Sequence, residues 1–263
     1  MLKTFARNVL PPGARIGLRK IYYYGNVFKC SLCGSSVRTL INSGRDLPIL
    51  RELEVIGGFR AGDTCPVCFM GARTRLVGYY LENEALRNSK GLQRILHVAP
   101  EAWLTTIIRR HPGNIDYVAA DLHPGHYEGS LEVVQADITN LPWNTNSFDL
   151  VICNHVLEHV PDDRKAMGEL YRVMRPGGSA ILQVPMAIKL GTTIEDPSVQ
   201  CPKERERRFG QSDHVRIYGS DYFDRLRSAK FRVEMINPVT AWGLGAVERL
   251  HLDPDERVFL ARK

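Results

Sequence analysis

The first 45 residues of this 263-residue chain contain no aspartate or glutamate. Acids begin at Asp46, whereas Lys3, Arg7, Arg15, Arg19, Lys20 and Lys29 all come earlier. The chain also lacks any run of about 18 apolar residues, which excludes a helical membrane span. Its first residues lack the apolar core of a secretory signal, so a cytoplasmic protein is expected. Cysteine is sparse, with six in the whole chain, and a disulfide-stapled scaffold is not indicated. Internal repeats and low-complexity tracts are absent. What remains is ordinary globular composition, 44% hydrophobic and 24% charged, enough for one large α/β domain and a small appendage.

The net charge of +6 is unevenly placed. Residues 1–90 carry fourteen Lys/Arg against six Asp/Glu, and residues 91–263 carry twenty-one against twenty-three. The basic leader, residues 1–28, interleaves its cations with Phe5, Tyr22, Tyr23 and Tyr24. Such a mixture suits peripheral contact with a phosphate-bearing surface, whether nucleic acid, lipid headgroup or glycan. A solvated arm that packs its aromatics on the main domain is the simpler alternative.

Four of the six cysteines form two Cys-x-x-Cys pairs, Cys30/Cys33 and Cys65/Cys68, separated by 31 residues. Each short pair wraps two sulfurs around one side of a tetrahedron, and four thiolates close a structural zinc shell. Gly34 follows the first pair and Gly71 the second, where a knuckle turn needs a residue free to take positive φ. Four buried thiols or a redox pair are the alternatives. The module is expected over 29–72, followed by a linking helix over 73–90 with Leu76, Val77, Tyr80 and Leu81 on one face. Cys153 reads as a core strand residue and Cys201 as a loop thiol.

From residue 91 to residue 263 the pattern alternates strand and helix. Strands are expected near 94–98, 115–120, 131–135, 148–153, 180–184, 231–236 and 256–261, with Arg175-Pro176-Gly177-Gly178 as a tight turn. Helices are expected after the first strand, with Trp103, Leu104, Ile107 and Ile108 on one side and Arg109 and Arg110 near the end, over 162–174 and near 220–229. This alternation predicts a parallel sheet with helices on both faces. Residues 186–218 break the rhythm and read as a lid or substrate loop, with Lys203–Arg208 as a solvated helix face. Asp121 closes the second strand and Asp137 follows the third. Acids after a strand-to-helix turn are how a doubly wound sheet builds a nucleotide pocket.

Taken together, Ile95–Glu101, Asp121, Asp137, the run Phe148–Val160 and Arg172–Gly178 resemble the class I S-adenosylmethionine-dependent methyltransferases. The nearest likeness is the type 11 branch, including members with an N-terminal zinc ribbon. That resemblance implies an α/β, doubly wound, mostly parallel seven-stranded sheet and S-adenosyl-L-methionine as cofactor. It implies that Val98, Ala99, Pro100 and Glu101 pass under the methionine part. Asp121, with Leu122, would meet the ribose, Asp137 and Ile138 would flank the adenine, and Asn154 and His155 would face the sulfonium. Many members have Gly-x-Gly in the first turn, where this chain has Ala99-Pro100-Glu101. Glycine lets backbone approach a ligand closely, and Pro100 also removes a donor N–H. That departure leaves a catalytically inactive scaffold as one alternative.

Histidine is the natural base near neutral pH for drawing a proton from an acceptor hydroxyl. His155, at the end of the fourth strand, and His214, beside Asp213 at the far end of the lid, are the catalytic candidates. His126 is a third histidine near the site, and Arg216 could grip an anionic acceptor. The expected substrate is a small molecule or glycan, methylated at oxygen. An RNA methyltransferase gripping nucleic acid with its zinc module and leader is the alternative.

Overall fold

The computed structural model describes residues 12–87, 91–127 and 131–263. The leader residues Lys3, Phe5 and Arg7, and the expected end of the linking helix at residues 88–90, lie outside them. Two compact units account for the chain. Among the described residues no helix is long and apolar enough to cross a membrane.

The larger unit is built on one seven-stranded sheet. Its strands are β1 (Gln93–Val98), β2 (Ile115–Asp121), β3 (Val133–Gln135), β4 (Phe148–Cys153), β5 (Met174–Ile181), β6 (Arg232–Ile236) and β7 (Val258–Arg262). Their order across the sheet is β6-β7-β5-β4-β1-β2-β3. β1 pairs in parallel with both β2 and β4, while β7 is antiparallel to its two neighbours. From β1 the strands are added first to one side (β2, β3) and then to the other (β4, β5), and this switch of strand order opens a crevice at the carboxyl ends of β1 and β4. Ile95, Leu96 and Val98 of β1 are all nearly fully buried, as expected of a strand covered on both faces. Helices α1 (Ala102–Arg110) and α2 (Asp163–Val173) follow β1 and precede β5. Asp162 caps α2 by accepting the Lys165 N–H at 3.0 Å, and Ala166, Met167 and Leu170 enter the main core.

The structure moves one boundary of the sequence reading substantially. β5 begins at Met174, before the glycine turn rather than after it. Met174 pairs with Phe148 and Ser179 with Leu150, so Arg175–Gly178 is an irregular excursion inside the strand. Gly177, at φ 80°, supplies the left-handed residue it needs.

Residues 186–218 form a tied-back element rather than an open loop. Ile194–Glu195 pairs antiparallel with Arg216–Ile217, and α3 (Pro202–Phe209) lies between them. Val199, Phe209 and Ile217 share a small core with Leu50 and Val55. α4 (Tyr222–Ser228) follows.

The smaller unit joins residues up to Gly44, Arg60–Tyr79 and Asn237–Glu256. This partition differs from the sequence boundaries 29–72, 73–90 and 91–263. Residues Arg45–Phe59 belong to the sheet unit, and the short helices Pro238–Trp242 and Leu244–Leu250 belong with the cysteines. Tyr24–Lys29 pairs with Ser36–Val37, and Ile41–Ser43 with Arg60–Thr64. The expected linking helix is an α-helix over Ala72–Tyr80 that widens to a π-turn over Leu81–Ala85. The described part of the leader begins as a helix, Pro12–Tyr22, whose Arg19 donates to Val67 O and lies over the Phe69 ring. Tyr22 and Tyr24 are about two-thirds exposed.

Candidate active site at the strand ends

β1 ends in a turn that meets the demand for positive φ without glycine. Ala99 sits at φ 49°, and its N–H is held by Ala120 O at 2.9 Å. Alanine, with the smallest side chain bearing a Cβ, tolerates this conformation at a cost of about 1–2 kcal/mol. Pro100 follows, and Glu101 is the N-cap of α1. The missing N–H of Pro100 costs no helical bond, because it lies outside the helix.

The Glu101 carboxylate is locked from two sides. His97 Nε2 stands 2.8 Å from Oε2, and Asn154 Nδ2 reaches Oε1 at 3.3 Å. His97 is fully buried in the middle of β1, where a polar ring needs partners. Its Nδ1 contacts Tyr117 OH at 3.0 Å, which in turn contacts Thr105 Oγ1 at 2.9 Å. One consistent proton arrangement runs from Thr105 through Tyr117 to His97 and on to Glu101. The sequence reading missed His97, Tyr117 and Thr105. The signal for them was a histidine inside an apolar strand, four residues before the turn glutamate.

Asp121 closes β2. Its Oδ1 accepts the His123 N–H and its Oδ2 the Tyr127 hydroxyl, each at 2.7 Å. Burial pushes the Tyr127 phenol well above its ordinary value, and the Asp121 and Glu101 carboxylates push it the same way. Tyr127 thus senses both acids. Leu122 is half exposed beside Asp121. Asp137 is exposed, with Oδ1 taken by the Thr139 N–H and hydroxyl, whereas Ile138 is buried in the main core. Val98 is also core. His126 lies in a short exposed turn after Asp121.

At the end of β4, Asn154 is nearly buried and its Oδ1 accepts the Gln183 N–H. His155 takes φ 55°, which turns its ring to a position 37% exposed, with Nδ1 3.5 Å from Glu158 Oε1. Glu158 is fully buried. Burial raises its pKa, but the imidazoles of His155, His159 and His214 outweigh this and hold it below the usual carboxylate range. His214 is 4% exposed, with Nδ1 3.1 Å from Phe209 O, and its burial lowers its pKa. Asp213 is largely exposed and faces His159 Nδ1 at 3.3 Å. The structure therefore gathers His214, Asp213, His159 and Glu158 into one cluster, with His155 at its edge. Arg216 is not available to grip an acceptor. It is buried and spent on Glu195 and on the carbonyls of Leu157, Val160 and Pro161.

In the smaller unit the four cysteines converge. Cys30 and Cys68 have Sγ atoms 3.7 Å apart, and Cys33 and Cys65 3.8 Å apart. Four sulfurs at 2.3 Å from a tetrahedral zinc stand about 3.8 Å apart, so this donor set fits that ion. The first knuckle turns at Gly34, φ 68°. The second turns at Phe69, φ 61°, and not at Gly71. Gly71 is needed for a different reason, since an added Cβ would lie 3.1 Å from Asp63 Oδ2. Hydrogen bonding from Cys30 helps hold the Cys65 thiol at about 7, below its usual value. Fully buried Arg75 braces the module by donating to Asp63 O, Met70 O and His251 O.

Residues 97–182 match the family described as Methyltransferase domain. An uncharacterized methyltransferase of Mycobacterium sp. (strain KMS) is 30% identical over 149 residues, 52% of this chain and 58% of that protein. A demethylmenaquinone methyltransferase of Staphylococcus epidermidis is 40% identical over 52 residues, 20% of this chain and 22% of the relative. The chain thus matches little more than half the length of the first relative and less of the second. Among solved structures, a SAM-dependent methyltransferase from Archaeoglobus fulgidus aligns over 73% of this chain and 95% of its own, at 16% identity and a TM-score of 0.45. The segment running from the buried histidine of β1 to the end of β5 is thus similar to methyltransferase domains.

Proposed function

We propose that the protein transfers a methyl group from S-adenosylmethionine to an oxygen of a small-molecule or glycan-like acceptor. The observation that carries this reading is the placement of two carboxylates where adjacent parallel strands end, Glu101 just past β1 and clamped by His97 and Asn154, and Asp121 at the end of β2 with Tyr127 on its oxygen. The cofactor, when bound, supplies an electrophilic methyl on a cationic sulfur.

The chain's own residues then have the following roles. Glu101, immobilised by His97 and Asn154, presents a fixed anionic face for the methionine ammonium. Asp121 retains lone pairs for the ribose hydroxyls, while Tyr127 fixes its rotamer. Leu122 would offer apolar surface to the adenine, and Asp137, one of whose oxygens is taken by Thr139, would accept from its amine. His155 takes the proton of the acceptor hydroxyl, and the Glu158 carboxylate behind Nδ1 stabilises the charged ring. The tied-back element over 186–218 has its own apolar core, which favours an enclosed site and a small acceptor over a long polymer. In the smaller unit, Cys30, Cys33, Cys65 and Cys68 would hold a structural zinc, a four-sulfur shell that leaves no position for chemistry.

Calorimetry with S-adenosylhomocysteine tests the pocket. The wild type should bind, and Asp121→Ala should bind at least tenfold more weakly, a loss of about 1.4 kcal/mol. Equal affinities would remove Asp121 from the pocket, and no binding by the wild type would remove the methyl-transfer reading itself.

A further inference from the structure

Glu158, His159 and His214 each present one ligand-capable atom, and the three atoms lie within 4.8 Å of one another. The chain reaches this point from two directions. Glu158 and His159 sit in the short 3-10 turn Leu157–His159 after β4, and His214 arrives from the end of the tied-back element. The Val215 N–H, bonded to Glu158 O at 2.9 Å, staples the two segments together.

Two of the three side chains are more than nine-tenths buried, at 1% exposure for Glu158 and 4% for His214. Buried polar atoms ordinarily find partners. Among the described residues, however, Glu158 Oε2 and His214 Nε2 have none. The Nδ1 of His214 faces the Phe209 carbonyl, which can only accept, so Nδ1 carries the proton and Nε2 presents its lone pair. A carboxylate oxygen and an imidazole lone pair, both starved of donors and close together, call for a cation between them. The third ring, His159, has its Nδ1 3.3 Å from the Asp213 carboxylate. A backbone carbonyl on one ring and a carboxylate on the other are the outer partners that orient metal-binding histidines.

We propose that Glu158, His159 and His214 bind a divalent transition-metal ion. Two imidazoles and one carboxylate suit zinc, cobalt or ferrous iron rather than calcium, magnesium or manganese. Ligands about 2.1 Å from such an ion stand about 3.4 Å apart, so a small rotation of each side chain closes the set. Three protein ligands leave at least one position open. The ion would lie beside His155, where that open position can take an oxygen of the acceptor and make its proton easier to remove. This site differs in kind from the cysteine cluster, since its donors are nitrogen and oxygen and its shell is incomplete.

The test is metal binding by the full chain, purified without chelator, with Co2+ as the probe. The expected result is one saturable equivalent of Co2+ beyond the metal at the cysteines, with ligand-field bands and no thiolate charge-transfer band. His214→Asn and, at a more exposed position, His159→Asn should each weaken that uptake at least tenfold. If the buried variant fails to fold, His159→Asn carries the test alone. No saturable uptake, uptake with thiolate bands only, or unchanged uptake in a folded variant would overturn the proposal. The measurement needs no acceptor and no cofactor, so its outcome is separate from the fate of the methyl-transfer reading.

Discussion

The four-cysteine module and the strand-end site assemble their reactive groups by opposite means. In the module, each knuckle brings two sulfurs together within four residues, and two hairpins bring the knuckles together. At the strand ends, Glu101, Asp121 and Asn154 come from three different strands, spread over 53 residues. No local turn could gather them. Parallel register does, with Val98 beside both Ala120 and Cys153 so that the three chain segments leave the sheet side by side. If the four sulfurs hold the ion they fit, the module draws its shape from that ion, whereas the strand-end site rests on a core that is present with or without a ligand.

The largest expected effect follows from that contrast. Cys65→Ser, or removal of metal by a strong chelator, takes away a binding free energy of about 10–16 kcal/mol in comparable zinc modules. Hydrogen exchange should then show the hairpins of Tyr24–Val37 and Ile41–Thr64 losing protection, while amides of β1 and β4 stay slow. Module amides that remain protected without metal would erase the distinction between the two regions.

The same contrast explains what could be read from the sequence. Cys-x-x-Cys spacing is local chemistry, and it named all four sulfurs. β4 and α2 were legible because the apolar run Leu150–Cys153 and a clean helical period are also local. The start of β5 was not, because Arg175–Gly178 has turn composition and only its pairing with β4 reveals a bulge. The helices over 238–250 were missed because Pro238, Gly243 and Gly245 divide them into pieces too short to show a period. Asp121 could be named from its strand-end position, but its partner Tyr127 required coordinates. Arg216 was misjudged for a related reason. A cation in a polar segment reads as a surface group until its burial against three carbonyls and Glu195 is known.

Glu195 gives a second, smaller way to separate fixed regions from adjustable ones. Burial raises its pKa, but Arg225 and Arg216 outweigh this and hold it below the usual carboxylate value. Because the folded value is depressed, the stabilisation is present above the unfolded value of about 4.3. It is lost as pH falls through the lower folded value. Between about pH 4.5 and pH 3, exchange should rise first over Ile194–Ile217 and only later in β4. Glu195→Gln should show the faster exchange already at neutral pH and flatten the pH dependence. If the wild type opens both segments together, the tied-back element has no independent mobility, and acceptor entry must be sought elsewhere.

The smallest effect bears on the turn that departs from the family pattern. Ala99 holds a left-handed conformation that costs an L-residue about 1–2 kcal/mol, and Ala99→Gly would relieve it. Glycine also gives the unfolded chain more freedom, which takes back about 0.5–1 kcal/mol. The balance is a gain between zero and about 1.5 kcal/mol, visible as a rise in Tm of up to about 6 °C for a domain of this size. Ala99→Val should move Tm the other way, since a branched side chain suits positive φ least. Affinity for S-adenosylhomocysteine should change less than twofold in Ala99→Gly, because Glu101 is positioned by His97 and Asn154 rather than by the turn's flexibility. A large gain in affinity would mean instead that the Cβ of Ala99 holds the ligand away, and that the side-chain clamp on Glu101 does not replace the glycines this chain lacks.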